Sequence, residues 1–259
     1  MSKTINLHYW PGRGGKKNFG DELSAFIVSK LLPLNDFVYN KNSSGFEKNL
    51  IAIGSYIQVA RSDYYIFGSG ARTLKDRVAY EYLNIISVRG PKTREFLLSK
   101  GIDCPELYGD PALFLSRYYT PRIIPELNGK VGIISHFTDN TDYVSQDKLS
   151  CFHLIDVRDN WRRVIDQICS CSHILSSSLH GLICSDAYGV PNLWLEYKDL
   201  QEGHFKFEDY FLSQGRVFDN INNIDDLNFD KFYKEGNKIN LDKLSKALYD
   251  SDLIEYKNI

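Results

Sequence analysis

The stretch Ser176-Ser177-Ser178-Leu179-His180-Gly181 brings three hydroxyls and an imidazole together where an apolar run gives way to a helical pattern. The free N–H groups of a helix start favour an anion. A helix start also lowers the pKa of a nearby histidine, so His180 is expected to be neutral at rest. A bound dianion would pull the other way and let it serve as a general acid. Ser177 and Ser178 would line the anion. A capped helix with a hydrogen-bonded histidine uses the same residues.

Other loops carry cations or small residues. Trp10–Asp21 holds Arg13, Lys16 and Lys17 among three glycines, then Asn18, Gly20 and Asp21. This suits a phosphate or carboxylate, but it fits neither G-x-G-x-x-G nor G-x-x-x-x-G-K-[ST] and supports no nucleotide site. An ordinary loop with Asp21 capping a helix fits it too. Phe67-Gly68-Ser69-Gly70 closes a strand with residues small enough for a ligand to approach. Arg89, in Ser87-Val88-Arg89-Gly90-Pro91, stands where a guanidinium can clamp an anion in bidentate fashion. The alternative is a surface arginine at a helix start, a mildly unfavourable place for positive charge. His136 ends a strand, and Lys206 lies among aromatics as an anion clamp or a snorkelling surface residue. No His/Asp/Glu cluster has metal-ligand spacing, and Cys169-Ser170-Cys171 lacks a second pair.

Elements must present these groups. Short β-rich runs alternate with amphipathic stretches, which predicts βαβ units and parallel sheets. Strands are expected at Ile5–Tyr9, Leu50–Ile53, Tyr64–Phe67 and Asn84–Val88, then at Lys130–His136, Cys151–Asp156, His173–Ser176 and Pro191–Glu196. Helices are expected at Asp21–Leu32, Lys92–Lys100 (closed by Gly101), Asn160–Cys171, Leu179–Tyr188, Phe207–Leu212 and Leu241–Tyr249, and a turn at Gly109–Leu113. The pattern restarts near Pro121–Gly129. The expected fold is therefore α/β, with two Rossmann-like halves, residues 1–125 and 126–259. Ligands belong at the carboxyl ends of the strands, in a cleft between the halves.

Composition narrows the function. The 259 residues are 43% hydrophobic and 25% charged, a globular balance. With 31 Lys and Arg against 33 Asp and Glu, the formal charge is −2, which argues against duplex nucleic acid as the main partner. No apolar run reaches the length of a membrane span. The stretch Leu241, Leu244, Leu248 reads as an amphipathic helix packed on the body, since its mixed charges lack a one-sided basic face. Five cysteines without regular spacing fit reduced thiols and a cytoplasmic setting.

Taken in order, these motifs resemble the polysaccharide pyruvyl transferase family. The matching pieces are Asn18-Phe19-Gly20-Asp21, Gly68-Ser69-Gly70, Val88-Arg89-Gly90-Pro91-Lys92-Thr93 and Gly109-Asp110-Pro111-Ala112-Leu113. They continue with the strand ending at His136, Ser177-Ser178-Leu179-His180-Gly181, Ala187-Tyr188-Gly189-Val190-Pro191 and Lys206-Phe207-Glu208-Asp209-Tyr210. The resemblance implies transfer of the pyruvyl group of phosphoenolpyruvate onto two sugar hydroxyls, with a cyclic ketal formed and phosphate released. It implies no cofactor beyond this donor and no metal. The acceptor would be a lipid-linked glycan of exopolysaccharide or capsule synthesis, at the inner face of the cytoplasmic membrane. The implied architecture is similar to that of GT-B glycosyltransferases. His180 matches the catalytic histidine and Arg89 a donor-holding arginine. Many members carry a second arginine two residues before the histidine, where this chain has Ser178. Lys206, Arg13 or Lys16 would then supply the charge, with Ser177 and His136 beside it. Asn18, Gly20, Asp21, Gly68, Gly70 and Asp110 would form the acceptor side or frame it. Trp10, Tyr108 and Tyr210 are aromatics that could stack on a sugar. A nucleotide-sugar glycosyltransferase and a non-catalytic glycan-binding protein are the competing readings.

Overall fold

Runs such as Tyr64-Tyr65-Ile66-Phe67 and Val131-Gly132-Ile133-Ile134 are buried at every position. Continuous burial of this kind is what a parallel sheet covered on both faces requires. The computed structural model of the chain describes residues 4–10, 18–33, 36–39, 48–78, 83–136, 150–196 and 204–253. In the first half run β1 (Ile5–His8), α1 (Phe19–Leu31), β2 (Phe37–Tyr39), β3 (Lys48–Ile51), β4 (Tyr64–Phe67), β5 (Asn84–Ser87), α2 (Pro91–Leu98) and α3 (Leu115–Tyr118). The second half has β6 (Val131–Ile134), β7 (Phe152–Ile155), α4 (Trp161–Ser170), β8 (His173–Ser176), α5 (Leu179–Tyr188), β9 (Asn192–Leu195), α6 (Phe205–Ser213), β10 (Asn220–Ile221) and α7 (Leu241–Tyr249). The strand orders are β2-β1-β3-β4-β5 and β10-β9-β8-β6-β7, and every named pairing is parallel. This is a mixed α/β protein with two Rossmann-like halves, as expected.

Several expected elements shift. The edge strands β2 and β10 add to the expected set. Gly109–Leu113, expected as a turn, is instead the entry to a 3-10 turn over Pro111–Phe114 that runs into α3. The side chain of Asp110 caps that turn by accepting from Ala112 N at 2.9 Å. Helix α5 has the expected bounds and ends at Gly189, whose φ of 68° lies in the left-handed region where glycine is favoured.

One large apolar cluster spans the two halves. Phe19, Leu23 and Ile27 of α1 lie in the same apolar cluster as Val164 and Ile165 of α4 and Leu182 and Ile183 of α5. Phe19 N donates to Val157 O, beyond β7, at 2.9 Å, and the Phe26 ring meets Trp161 at 4.6 Å. Helix α7 is amphipathic, as its leucine spacing predicts, and buries Leu241, Leu244 and Leu248. It packs back on the first half: Tyr249 Oη donates to Leu31 O, and Arg117 pairs with Asp242.

Candidate active site

The carboxyl ends of both sheets converge on His180. Ser178 is the N-cap of α5 but makes no side-chain capping bond, so the first N–H groups of the helix are left for another acceptor. His180 follows in the first turn, 7% exposed, and its Nε2 has no hydrogen-bond partner among the described residues. Burial drives the imidazole pKa down to about 3, with Arg89, Lys206 and His136 pushing the same way. His180 is therefore neutral at rest, through burial and neighbouring cations rather than the helix start from which the sequence reading argued. Its ring lies against Gly20 of α1, where a β-carbon would stand 2.0 Å from Cγ. The two halves thus meet at this imidazole, with Phe19 edge-on at 6.5 Å.

His136 lies two residues beyond β6. Its backbone N donates to Ser177 Oγ at 2.9 Å, which ties the loop after β6 to the end of β8. Burial, then the charge of Lys206, lowers its imidazole to about 4. Lys206, on the first turn of α6, also acts on His180 and on Asp21. Its ammonium therefore reaches groups from both halves.

Two carboxyls complete the site. Asn18, rather than Asp21, caps α1, its Oδ1 accepting from Gly20 N at 3.0 Å. This corrects the reading of Asp21 as a cap and leaves its carboxyl for other work. Asp21 Oδ1 lies over the loop after β3, where a β-carbon on Gly54 would come within 2.8 Å. Burial raises Asp21 to about 7, and the neighbouring charge of Asp110 adds to the rise while Lys206 opposes it. Asp110 is fully buried and is raised to about 6 by burial, against the Ala112 N–H and Arg89. Gly68, at φ 78°, lets the end of β4 close on Gly109 O and Pro111.

Arg89, expected to clamp the donor, is also tied to groups of the protein itself. It has no exposed surface. Nε donates to Asp209 at 3.0 Å, Nη1 to Ser55 Oγ at 2.5 Å and Nη2 to Ala71 O at 2.7 Å. Gly70 makes room for it, since a β-carbon there would lie 2.4 Å from Cζ. The sequence gives no sign that Ser55, Ala71 and Asp209 hold this arginine, because no local spacing points to them. Tyr210 is not the expected sugar platform. It is fully buried and donates to Asp186 at 2.6 Å. Trp10 and Tyr108 are partly buried. Arg13, Lys16 and Lys17 lie outside the described residues. Among the described residues, no three His, Cys, Asp or Glu side chains could hold a metal ion.

A parallel α/β scaffold with a buried neutral histidine, a lysine and two carboxyls of raised pKa near the strand ends defines a site for an anion and for proton transfer. The profile of the polysaccharide pyruvyl transferase family matches residues 17–199, and the chain belongs to that family. It is 29% identical over 198 residues to the succinoglycan biosynthesis protein ExoV of Rhizobium meliloti, a match covering 71% of this chain and 57% of ExoV. It is 26% identical over 215 residues to the uncharacterized protein L143 of Acanthamoeba polyphaga mimivirus, covering 80% and 74% of the two chains. A crystal structure of a functionally uncharacterized protein from Klebsiella pneumoniae shares the fold with a TM-score of 0.50 at 14% identity, covering 81% of this chain and 87% of the other.

Proposed function

We propose that this protein moves the pyruvyl group of phosphoenolpyruvate onto two hydroxyls of a sugar in a polysaccharide repeat unit. The observation that carries the reading is His180: buried, neutral, with an unpartnered Nε2 at the start of α5 and under the charge of Lys206. The donor carries a phosphate and a carboxylate. The N–H groups at the start of α5, the hydroxyls of Ser177 and Ser178, and Lys206 receive them, with His136 alongside. Ser178 stands where many relatives have an arginine, so Lys206 carries more of the charge here.

Binding of this anion raises the pKa of His180, which takes up a proton from solvent as the donor enters. His180 delivers that proton to C3 of the enol, C2 becomes electrophilic, and one sugar hydroxyl adds to it. Asp21 takes the hydroxyl proton. The second hydroxyl then displaces phosphate from C2 and closes the ketal, giving its proton to the His180 imidazole that was left neutral by the first step. General acid–base steps of this kind contribute about 10²–10⁴-fold each. Asp110, Asn18, Gly20, Gly68 and Gly70 frame the acceptor side. The acceptor is read as a lipid-linked glycan of exopolysaccharide or capsule synthesis at the cytoplasmic face of a membrane, met by a GT-B-like pair of halves. No helix among the described residues is long and apolar enough to cross a membrane.

The test is phosphate release from phosphoenolpyruvate with a panel of galactose-, glucose- and mannosamine-containing acceptors. Release that depends on acceptor and vanishes in His180→Ala, with the fold kept, is the expected result. Full turnover by the mutant would remove His180 from the chemistry. Stabilisation by uridine diphosphate but not by phosphoenolpyruvate would favour a glycosyltransferase.

A further inference from the structure

Asp110 carries a buried atom that the proposed reaction does not use. Its Oδ1 accepts from Ala112 N at 2.9 Å and caps the turn over Pro111–Phe114. Its Oδ2 has no hydrogen-bond partner among the described residues, in a residue with no exposed surface. A buried carboxylate oxygen left without a partner costs free energy, and such an atom beside a site calls for a reason. Capping the turn needs only Oδ1.

Asp21 of α1 reaches the same place from another side. A β-carbon on Gly54, in the loop after β3, would stand 2.8 Å from Asp21 Oδ1, and the N–H of Gly54 steadies the anion of Asp110. Gly54 has a φ of 101° and is pinned at its carbonyl by Ser69 Oγ at 2.8 Å and Gly70 N at 3.1 Å. The two carboxyls thus flank one fixed glycine. Around them, Lys206 of α6 and Glu22 of α1 face Asp21, while Arg89, the Ala112 N–H and the Gly54 N–H face Asp110. Cys184 of α5 and Tyr210 of α6 also feel the charge of Asp110, and burial keeps both protonated. Two carboxylates in one buried place repel, and a single proton between them removes that repulsion.

We infer that Asp21 and Asp110 act as one base, the hydroxyl proton taken by Asp21 being held by both carboxyls beside Gly54, with Oδ2 of Asp110 as its second seat. The O–H bond of the first acceptor hydroxyl breaks, its electron pair stays on the oxygen that bonds C2, and the proton enters the pair. Its arrival relieves the repulsion between two anions, which makes the pair a stronger base than either carboxyl alone. Asp110 works through Asp21, as a positioning residue.

The proton step rests on the pyruvyl-transfer reading; the pairing of the two carboxyls does not. On the full chain, kcat/KM for phosphate release is followed against pH, and the carboxyl carbons of labelled aspartates are titrated by NMR. In Asp110→Asn, which keeps the Oδ1 cap, the acid limb of kcat/KM should move down by about one pH unit or more, and the Asp21 carbon should titrate lower by as much. A residue that only capped the turn would lower stability without moving the limb. Asp21→Asn should shift the Asp110 carbon down in turn, and serves if Asp110→Asn fails to fold. A limb that stays in place in folded Asp110→Asn would overturn the inference. So would carbons of Asp21 and Asp110 that each titrate as in wild type when the other residue is asparagine. Wild type that releases no phosphate with any acceptor would defeat the pyruvyl-transfer reading, and the NMR titrations alone would then decide the pairing: reciprocal downward shifts uphold it and unmoved ones overturn it.

Discussion

The α-carbon of Gly20 lies against the imidazole of His180, close enough that a methyl group would stand 2.0 Å from Cγ and 2.1 Å from Nδ1. The two residues come from helices of different halves, each at its helix N-terminus. Their contact brings the N-terminal turns of α1 and α5 together at the proposed reaction centre, and His180 can keep its place only while position 20 has no side chain.

Gly20→Ala therefore tests geometry without changing any charge. The ring cannot simply swing aside, because His180 Cβ itself would lie 2.4 Å from the new methyl, so the N-terminal turns of α1 and α5 must part and the site loses alignment. A displacement of about 1 Å is enough to lower turnover by about 100-fold. Turnover and circular dichroism measured together distinguish this from unfolding, and full activity in a folded variant would mean that His180 need not stand where it does.

Asp21 should shape the acid side of the pH profile. Its carboxyl titrates at about 7, lifted first by burial and then by Asp110. Acting as a base it must be ionised, so kcat/KM should fall as pH drops below about 7. Asp21→Asn should lower activity by about 10²-fold or more and abolish that limb. A limb that survives the substitution belongs to another group.

Stability should also depend on His180. Its folded pKa of about 3 is depressed from 6.5 by burial. Below pH 6.5 the unfolded chain takes up a proton on this imidazole while the folded one does not. The stability tied to the neutral form is therefore fully present above pH 6.5 and drains away as pH falls toward about 3. Within that window each step of one pH unit removes up to about 1.4 kcal/mol. Urea unfolding at about pH 7, 5 and 4 should show wild type losing more stability toward acid than His180→Asn does. Parallel losses would show that His180 carries no such linkage.

Leu244 of α7 is fully buried beside Gly109, next to Asp110. Leu244→Ala should cost about 2–5 kcal/mol, as a cavity in a packed core does. Thermal unfolding reads this directly. A change of less than about 1 kcal/mol would mean that α7 is a detachable appendage.

Much of this is legible in the sequence where pattern is local. The bounds of α5 follow from an apolar run closed by Gly189, and the strand-end placement of His136, Ser177 and His180 follows from the parallel alternation. The edge strands β2 and β10 escape because of their length: Phe37-Val38-Tyr39 is apolar but only three residues long, and Asn220-Ile221 only two, too short for a run or an alternation to stand out. Asn18 and Asp21 both suit a helix start, and only the turn geometry decides between them. The partner that Arg89 has in Asp209 lies 120 residues away and leaves no local mark, and Tyr210 reads as a sugar platform because Asp186 claims its hydroxyl only in three dimensions. Long-range partners of buried polar groups leave no periodic trace.

The return of α7 to the first half has a consequence for how the molecule is made. Its leucines join the cluster that contains Leu31 and Phe114, and it packs against β5, although 154 positions separate Leu241 from Ser87. The first half therefore cannot finish its core as it leaves the ribosome, since a missing piece is still untranslated. Contacts this far apart in sequence slow folding and leave apolar surface uncovered meanwhile. The two halves must mature together rather than in succession, and the nascent first half is the species on which a chaperone would find exposed leucines.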